Sequence, residues 1–247
     1  MRIFTSLSLL LIATSAIAAQ ESAEGVVKKA IAAMGVPNDG KPYYQTWHEQ
    51  GKMNFGGASI VYDSYWTFEP SDKYRFEMKG EFQGQKIEIV FIQNGNQAKE
   101  SAMGQSRMVE GEKLEETTHS LYQLWVNSLT PLVNDTAFKL KLLGERSFAG
   151  KSVVSVLVSR EGKRDVTLHF DKNTHYLAGC TDKVKDEFQG WKEVTQDAEF
   201  SDYEKLATGE MVFKNMVLKR EGKVLIESKM SESKRHAGSK PEAFKLD

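Results

Sequence analysis

The residues able to do chemistry are few and scattered. Five histidines, His48, His119, His169, His175 and His236, could bind a metal or act as a general base. Only His169 and His175 lie close in sequence, flanking the 171–174 turn, where both are expected to face solvent with no third ligand beside them. Asp182, Asp186 and Glu187 could supply an acid and base pair, but they sit in a charged stretch that reads as a solvated face. Gly144 and Gly150-Lys151-Ser152 approach the phosphate-binding pattern G-x-x-x-x-G-K-[ST], yet that spacing puts Glu145 where the first glycine is needed, so they read as a hairpin turn. Neither G-x-S-x-G nor H-E-x-x-H occurs. The single cysteine, Cys180, has no internal disulfide partner and reads as a small core residue rather than a nucleophile. Asn134-Asp135-Thr136 fits a glycosylation sequon, relevant only in a host that glycosylates exported proteins. No catalytic residue, metal ligand set or cofactor site is expected, and the chain reads as a protein that binds rather than an enzyme.

Composition narrows the partners. The 247 residues include 33 Lys+Arg and 34 Asp+Glu, 40% hydrophobic and 27% charged residues, which excludes disorder, collagen-like repeats and a disulfide scaffold. Both signs of charge are intermixed, so no basic patch marks a nucleic-acid binder and no acidic tail marks a cationic partner. Residues 1–18 join Arg2, an apolar run over 7–12 and Ala16-Ile17-Ala18, the pattern of a secretory signal peptide cut after Ala18. That apolar run is shorter than the about 20 residues a bilayer span requires, and no later stretch is apolar enough to span. The expected mature protein is one domain over 19–247, soluble, monomeric and periplasmic or secreted. No cysteine follows the cut, which excludes the lipid-modified N-terminus of a bacterial lipoprotein.

The elements that must position any site are mostly strands. Residues 22–34 set Val26, Val27, Ala30, Ile31 and Met34 on one helical stripe, with Gly35 and Pro37 to stop it. From Pro42 to about Val109 the period becomes two. Tyr74, Phe76 and Met78 alternate with Arg75, Glu77 and Lys79, and Ile87, Ile89 and Phe91 follow. Turns fall at Gly56-Gly57, Pro70-Ser71-Asp72, Gln83-Gly84-Gln85 and Asn94-Gly95. A second helix is expected over 118–129, with Thr118 as N-cap, Leu121, Leu124, Trp125 and Leu129 as its apolar stripe, and Ser120, Gln123, Asn127 and Ser128 opposite. Strand periodicity returns over 137–145, 151–159, 163–170, 175–185, 191–202, 210–219 and 223–233, and no proline interrupts a strand. The fold expected is mainly β: a curled antiparallel meander of about 11–12 strands forming an incomplete barrel, covered by the central helix and preceded by the N-terminal one.

The order of these features resembles the periplasmic lipoprotein carrier superfamily, the fold of outer-membrane lipoprotein-sorting proteins. Trp66-Thr67-Phe68-Glu69-Pro70 and Lys73-Tyr74-Arg75-Phe76 resemble its strand-turn-strand ending in proline before an arginine-bearing strand. Leu168-His169-Phe170-Asp171-Lys172-Asn173-Thr174 is similar to its "FDxxT" hairpin. Phe200-Ser201-Asp202-Tyr203 with Gly209, and Arg220-Glu221-Gly222-Lys223, are similar to its later hairpins. Two departures separate the chain from the carrier proper: Glu69 stands where a basic residue is usual, and Met211-Val212-Phe213 follows Gly209 where relatives carry proline.

A half-barrel of that width has a concave face its own side chains cannot fill, so a helix or a ligand must cover it. The expected lining is Trp66, Phe68, Tyr74, Phe76, Met78, Ile87, Ile89, Phe91, Val166, Leu168 and Phe170, with Leu121, Leu124 and Trp125 on the covering helix. The resemblance implies a carrier of a hydrophobic ligand or lipoprotein acyl chains in the cell envelope. A sensor with an envelope protein partner, or an enzyme with a polar cluster inside the cavity, are the alternatives.

Overall fold

In the computed structural model, residues 21–55 and 57–247 are described; the expected signal peptide and its cleavage site lie outside them. Helix α1, Ala23–Ala33, begins where Ser22 accepts a hydrogen bond from the Gly25 amide at 3.0 Å and buries Val26, Val27, Ala30 and Ile31. Six strands follow: β1 Tyr43–Phe55, β2 Ala58–Glu69, β3 Lys73–Phe82, β4 Gln85–Asn94, β5 Gln97–Ala102 and β6 Gln105–Val109. Helices α2, Gly111–Asn127, and α3, Pro131–Asn134, lead to β7 Phe138–Phe148, β8 Lys151–Arg160, β9 Val166–Asp171, β10 Leu177–Asp186, β11 Lys192–Lys205, β12 Met211–Arg220 and β13 Lys223–Ala237.

All thirteen strands form one antiparallel sheet in the order β6-β5-β4-β3-β2-β1-β13-β12-β11-β10-β9-β8-β7. Strands β1 and β13 meet in its middle, β6 and β7 are its two edges, and α2 with α3 carries the chain from one edge to the other. The sheet is therefore not closed, as the incomplete barrel requires. The thirteenth strand comes from the segment 97–109, which folds back on itself where Met103 and Gly104 both take positive φ, 51° and 82°. Helix α2 starts about two turns ahead of Thr118. Its N-terminal residue follows Glu110, which makes no side-chain cap, and the polar turns 111–117 are held from outside by Lys113–Glu100 and Glu116–Arg164 ion pairs. Thr118 lies within the helix and accepts a hydrogen bond from Gln93 Nε2 at 2.8 Å.

Both helices lie on one face of the sheet, the inner face, and divide its core in two. Over β7–β11, α1 packs with Tyr122, Val126 and Leu129 on Val156, Val158, Val166, Leu168, Phe170, Cys180, Ala198 and Phe200. Over β2–β6, Leu121 packs on Phe68, Tyr74, Phe91, Ala98 and Val109. Trp125 touches both clusters. On the outer face, Phe148 stacks on His169 with ring centroids 4.0 Å apart, and the ring is admitted by Gly179: a Cβ there would lie 2.6 Å from Phe148 and 2.2 Å from the Ala198 carbonyl oxygen.

Two expectations need correction. His169 is buried, sandwiched between strands under Phe148, while His175 is exposed on its turn. Asp182 and Asp186 are buried rather than solvated, the first against α2 and the second beside Arg220, and only Glu187 faces solvent. Gln123 and Asn127, on the polar face of α2, both turn to the sheet and donate to the Cys180 thiol on β10.

Candidate functional site

An aromatic row crosses the first four strands on the inner face. Trp47, Trp66, Phe76 and Phe91 are successive cross-strand partners on β1, β2, β3 and β4. Trp47 and Trp66 stack at 5.3 Å, Trp66 meets Phe76 at 4.5 Å, and Tyr74 stacks on Phe91 at 5.4 Å. Such offset contacts fix the rings as a rigid apolar surface. Leu114, Leu124 and Trp125 of α2 pack along its margin.

All of the expected lining residues of β2, β3 and β4 share this face by register, Ile87 opposite Gly80, Ile89 opposite Met78 and Phe91 opposite Phe76. Their burial differs in an informative way. Phe68, Tyr74, Met78, Phe91 and Leu121 are buried, whereas Trp66, Phe76, Ile87, Ile89, Leu124 and Trp125 are only half-buried. Val166, Leu168 and Phe170 are closed off completely beneath α1 and α2. The second-half part of the expected wall is thus core, and the open apolar surface lies over β1–β4. The same face continues across the middle strands through half-buried Met53, Met216, Leu218, Ile226 and Met230, which the sequence reading passed over along with Trp47. Strand β12 lies where a strand is expected, but its polarity does not say which face is inner, since Val212, Phe213, Met216, Val217 and Leu218 fall on both; the pairing of Met53 with Ile226 is visible only in register.

In the floor of this surface sits a polar group. Glu49, 4% exposed, accepts a hydrogen bond from the Tyr62 hydroxyl at 2.5 Å. Tyr62 reaches it by lying across Gly51, where a Cβ would come 2.6 Å from the phenol oxygen. Burial raises the Glu49 carboxyl above its ordinary range, against the opposing pull of the Tyr62 hydrogen bond. Trp66 Nε1 donates to Ser64 Oγ at 3.2 Å, and Ser64 in turn to the Glu49 backbone carbonyl at 3.3 Å.

Helix α2 is bound to the two halves by different chemistry. Toward β2–β6 its buried contacts are mainly apolar, through Leu121. Toward β10 they are polar: Glu116 accepts from Arg164 and, at 2.9 Å, from the Lys185 amide; His119 Nε2 donates to Asp182 at 2.6 Å; Gln123 reaches the Cys180 thiol at 3.3 Å. Burial pushes that thiol well above its ordinary value, which keeps it protonated and inert. Among the described residues, no group of three or more His, Cys, Asp or Glu is placed to hold a metal ion. No helix among them is long and apolar enough to cross a membrane.

A hollow of about 740 Å³ opens over β1–β4, and its lining mixes Gln50, Val61, Asp63, Lys79, Glu81, Lys86 and Glu88 of the outer-face register with Gly51, Tyr62, Gly80 and Ile87 of the inner-face register. It lies where the glycines Gly51 and Gly80 leave room beside Tyr62, and it reaches the apolar row only at Ile87.

No family model matches the sequence, and no curated protein does. Solved structures do match in shape. A LolA superfamily protein from Nitrosomonas europaea superposes with a TM-score of 0.57 at 8% identity, over 91% of this chain and 97% of its own. A DUF1329 family protein from Desulfovibrio piger gives 0.54 at 13% identity, over 92% and 98%. An outer membrane lipoprotein-sorting protein domain from Vibrio parahaemolyticus gives 0.52 at 10% identity, over 90% and 97%. Identities this low speak to architecture alone, and the architecture agrees over nearly the full length of each partner: this chain has the lipoprotein carrier-like fold.

Proposed function

We propose that the protein is an exported binding protein that holds a hydrophobic ligand, such as the acyl chain of a lipid or lipoprotein, against the inner face of β1–β4 beside α2, for transport within the cell envelope. The observation that carries this reading is the half-buried row of Trp47, Trp66, Phe76, Ile87 and Ile89 on the helix-bearing face of an unclosed sheet. Apolar surface is ordinarily buried in a core or matched to a partner, and here one end of the row is covered by Leu121 and Leu124 while the other is not. An acyl chain laid along it would gain about 0.8 kcal/mol per buried methylene, so about ten methylenes supply about 8 kcal/mol before ordering costs. Binding of this kind requires shape and apolar area and no catalytic group.

The test is uptake of a fluorescent fatty-acid probe by the wild type and by Phe76→Asp. A carboxylate on the open row must be desolvated by the ligand, so affinity should fall at least about tenfold with the circular dichroism spectrum unchanged. A folded variant that binds as the wild type does would remove β3 from the site. Phe170→Asp is the contrasting control, since Phe170 is 2% exposed in the second-half core and its replacement should unfold the protein instead.

A further inference from the structure

Five acidic side chains are buried among the described residues: Glu49, Glu69, Asp182, Asp186 and Glu210. Three of them face a cation, Lys73 at 2.7 Å from Glu69, Arg220 at 3.2 Å from Asp186 and Arg235 at 3.5 Å from Glu210, and Asp182 accepts from His119 Nε2 at 2.6 Å. Glu49 has no cation within 4 Å, and of the side-chain donors around it the Tyr62 hydroxyl is the one that completes a hydrogen bond. A buried carboxylate without a counter-ion is costly enough that the group keeps its proton instead.

That changes the hydrogen-bonding inventory of the floor. One carboxyl oxygen accepts from Tyr62, and the acid proton makes Glu49 a donor as well. Three further donors lie near the same carboxyl: Trp66 Nε1, which donates to Ser64 Oγ, and Trp47 Nε1 and Ser228 Oγ, both buried and both without a completed hydrogen bond. Ser228 is 8% exposed and comes from β13, opposite Gly51, so the group straddles the central seam of the sheet. Around it the inner face is apolar, with Met230 opposite Glu49, Met78 opposite Ser64 and Met216 opposite Ser228. The floor therefore holds two buried donors, Trp47 Nε1 and Ser228 Oγ, whose hydrogen-bonding capacity is not used within the protein, in a setting where an unmet donor is costly.

We propose that Glu49, Ser228 and the Trp47 indole N–H form an anchor for the uncharged carbonyl oxygen of an acyl ester, which fixes the register of the ligand while its chain lies along Trp66, Phe76 and Ile89. This rests on the hydrophobic-ligand reading and adds the chemistry of the ligand's polar end. An ester carbonyl supplies acceptors and no charge. A free carboxylate would bring a second anion to a site with no cation, and a bare hydrocarbon would leave the donors unmet.

The experiment compares three pyrene-labelled probes of equal chain length, an alkane, a methyl ester and a free fatty acid measured at about pH 8, by fluorescence titration of the wild type, Glu49→Leu, Glu49→Gln and Ser228→Ala. The wild type should bind the ester about tenfold tighter than the alkane, and the acid no tighter than the alkane. Glu49→Leu and Ser228→Ala should bring ester affinity down toward that of the alkane, leaving the alkane unchanged. Glu49→Gln, which retains a donor, should keep most of the preference. Equal binding of ester and alkane by the wild type, or an undiminished preference in a folded Glu49→Leu protein, overturns the anchor while the hydrophobic site stands. A preference for the free acid overturns the assignment of the ester. Binding of none of the three by the wild type overturns the hydrophobic-ligand reading itself.

Discussion

Acidification from about pH 7.5 to about pH 5 should destabilise the protein by about 2 kcal/mol through His169 alone. The imidazole is threaded between three strands on the outer face. Thr181 donates to Asp197 at 2.5 Å, so the Thr181 oxygen is free to accept from His169 Nε2–H at 3.0 Å, which leaves Nδ1 to accept from the Ser155 hydroxyl at 2.8 Å. Every proton in that chain is assigned with the ring neutral. A second proton would go on Nδ1, facing Ser155, beneath the Phe148 ring. Burial accordingly pushes His169 down to about 4 from its ordinary 6.5, with Asp197 opposing and Arg146 assisting. The unfolded chain takes up the proton as pH falls below about 6.5 and the native state only near about 4, so stability is lost across that window, about 2 kcal/mol by pH 5 and about 3 kcal/mol by pH 4. Urea unfolding of the wild type and His169→Gln at the two pH values isolates the effect, because Gln keeps a donor and an acceptor without titrating. Glu49, whose burial works in the opposite sense, is present in both proteins and cancels in the difference. A variant whose stability falls with pH as steeply as the wild type's would refute the reasoning and place the acid sensitivity elsewhere.

Replacing Gly179 by Ala should destabilise the fold by about 3 kcal/mol or more, because the new Cβ meets both the Ala198 carbonyl and the Phe148 ring; a shift in thermal midpoint under about 2 °C would contradict the packing described. The Cys180 thiol should resist a colorimetric thiol reagent in the native protein and react in urea, and rapid native labelling would contradict its place under Gln123 and Asn127. Leu121→Ser with Leu124→Ser should loosen the apolar edge of α2 while Glu116 and His119 keep it tethered to β10, raising fatty-acid probe affinity about tenfold if about 1.4 kcal/mol of docking is removed. A folded double variant that binds no tighter would make α2 a static part of the core.

Much of this was legible from residue order, and the exceptions have physical causes. The alternation of Tyr74, Phe76 and Met78 with Arg75, Glu77 and Lys79 identifies β3 and its inner face because polarity and burial coincide there. Segment 97–109 read as one strand because its turn uses Met103 in a left-handed conformation, a position where Asn or Gly would have announced it. The start of α2 was displaced because residues 111–117 have no apolar period, and their helix is stabilised by ion pairs to strands far away in sequence. Asp182 reads as solvated until its pairing with His119, 63 residues away, is seen. The central part of the inner face is hidden for the same reason: Ser228 comes beside Glu49 and Tyr62 only through the join of β1 with β13.

That join also bears on how the chain reaches its fold. Every other pair of neighbouring strands is consecutive in sequence, so each half of the sheet can zip from local hairpins at little entropic cost. The seam brings together groups as distant as Thr46 and His236, 190 residues apart. Closing a loop of that length costs about 3 kcal/mol more than closing a tight turn. Topology thus predicts that the two hairpin arrays grow first and the β1–β13 closure follows, so that Ser228 joins a Glu49–Tyr62 pair already made within the β1–β2 hairpin.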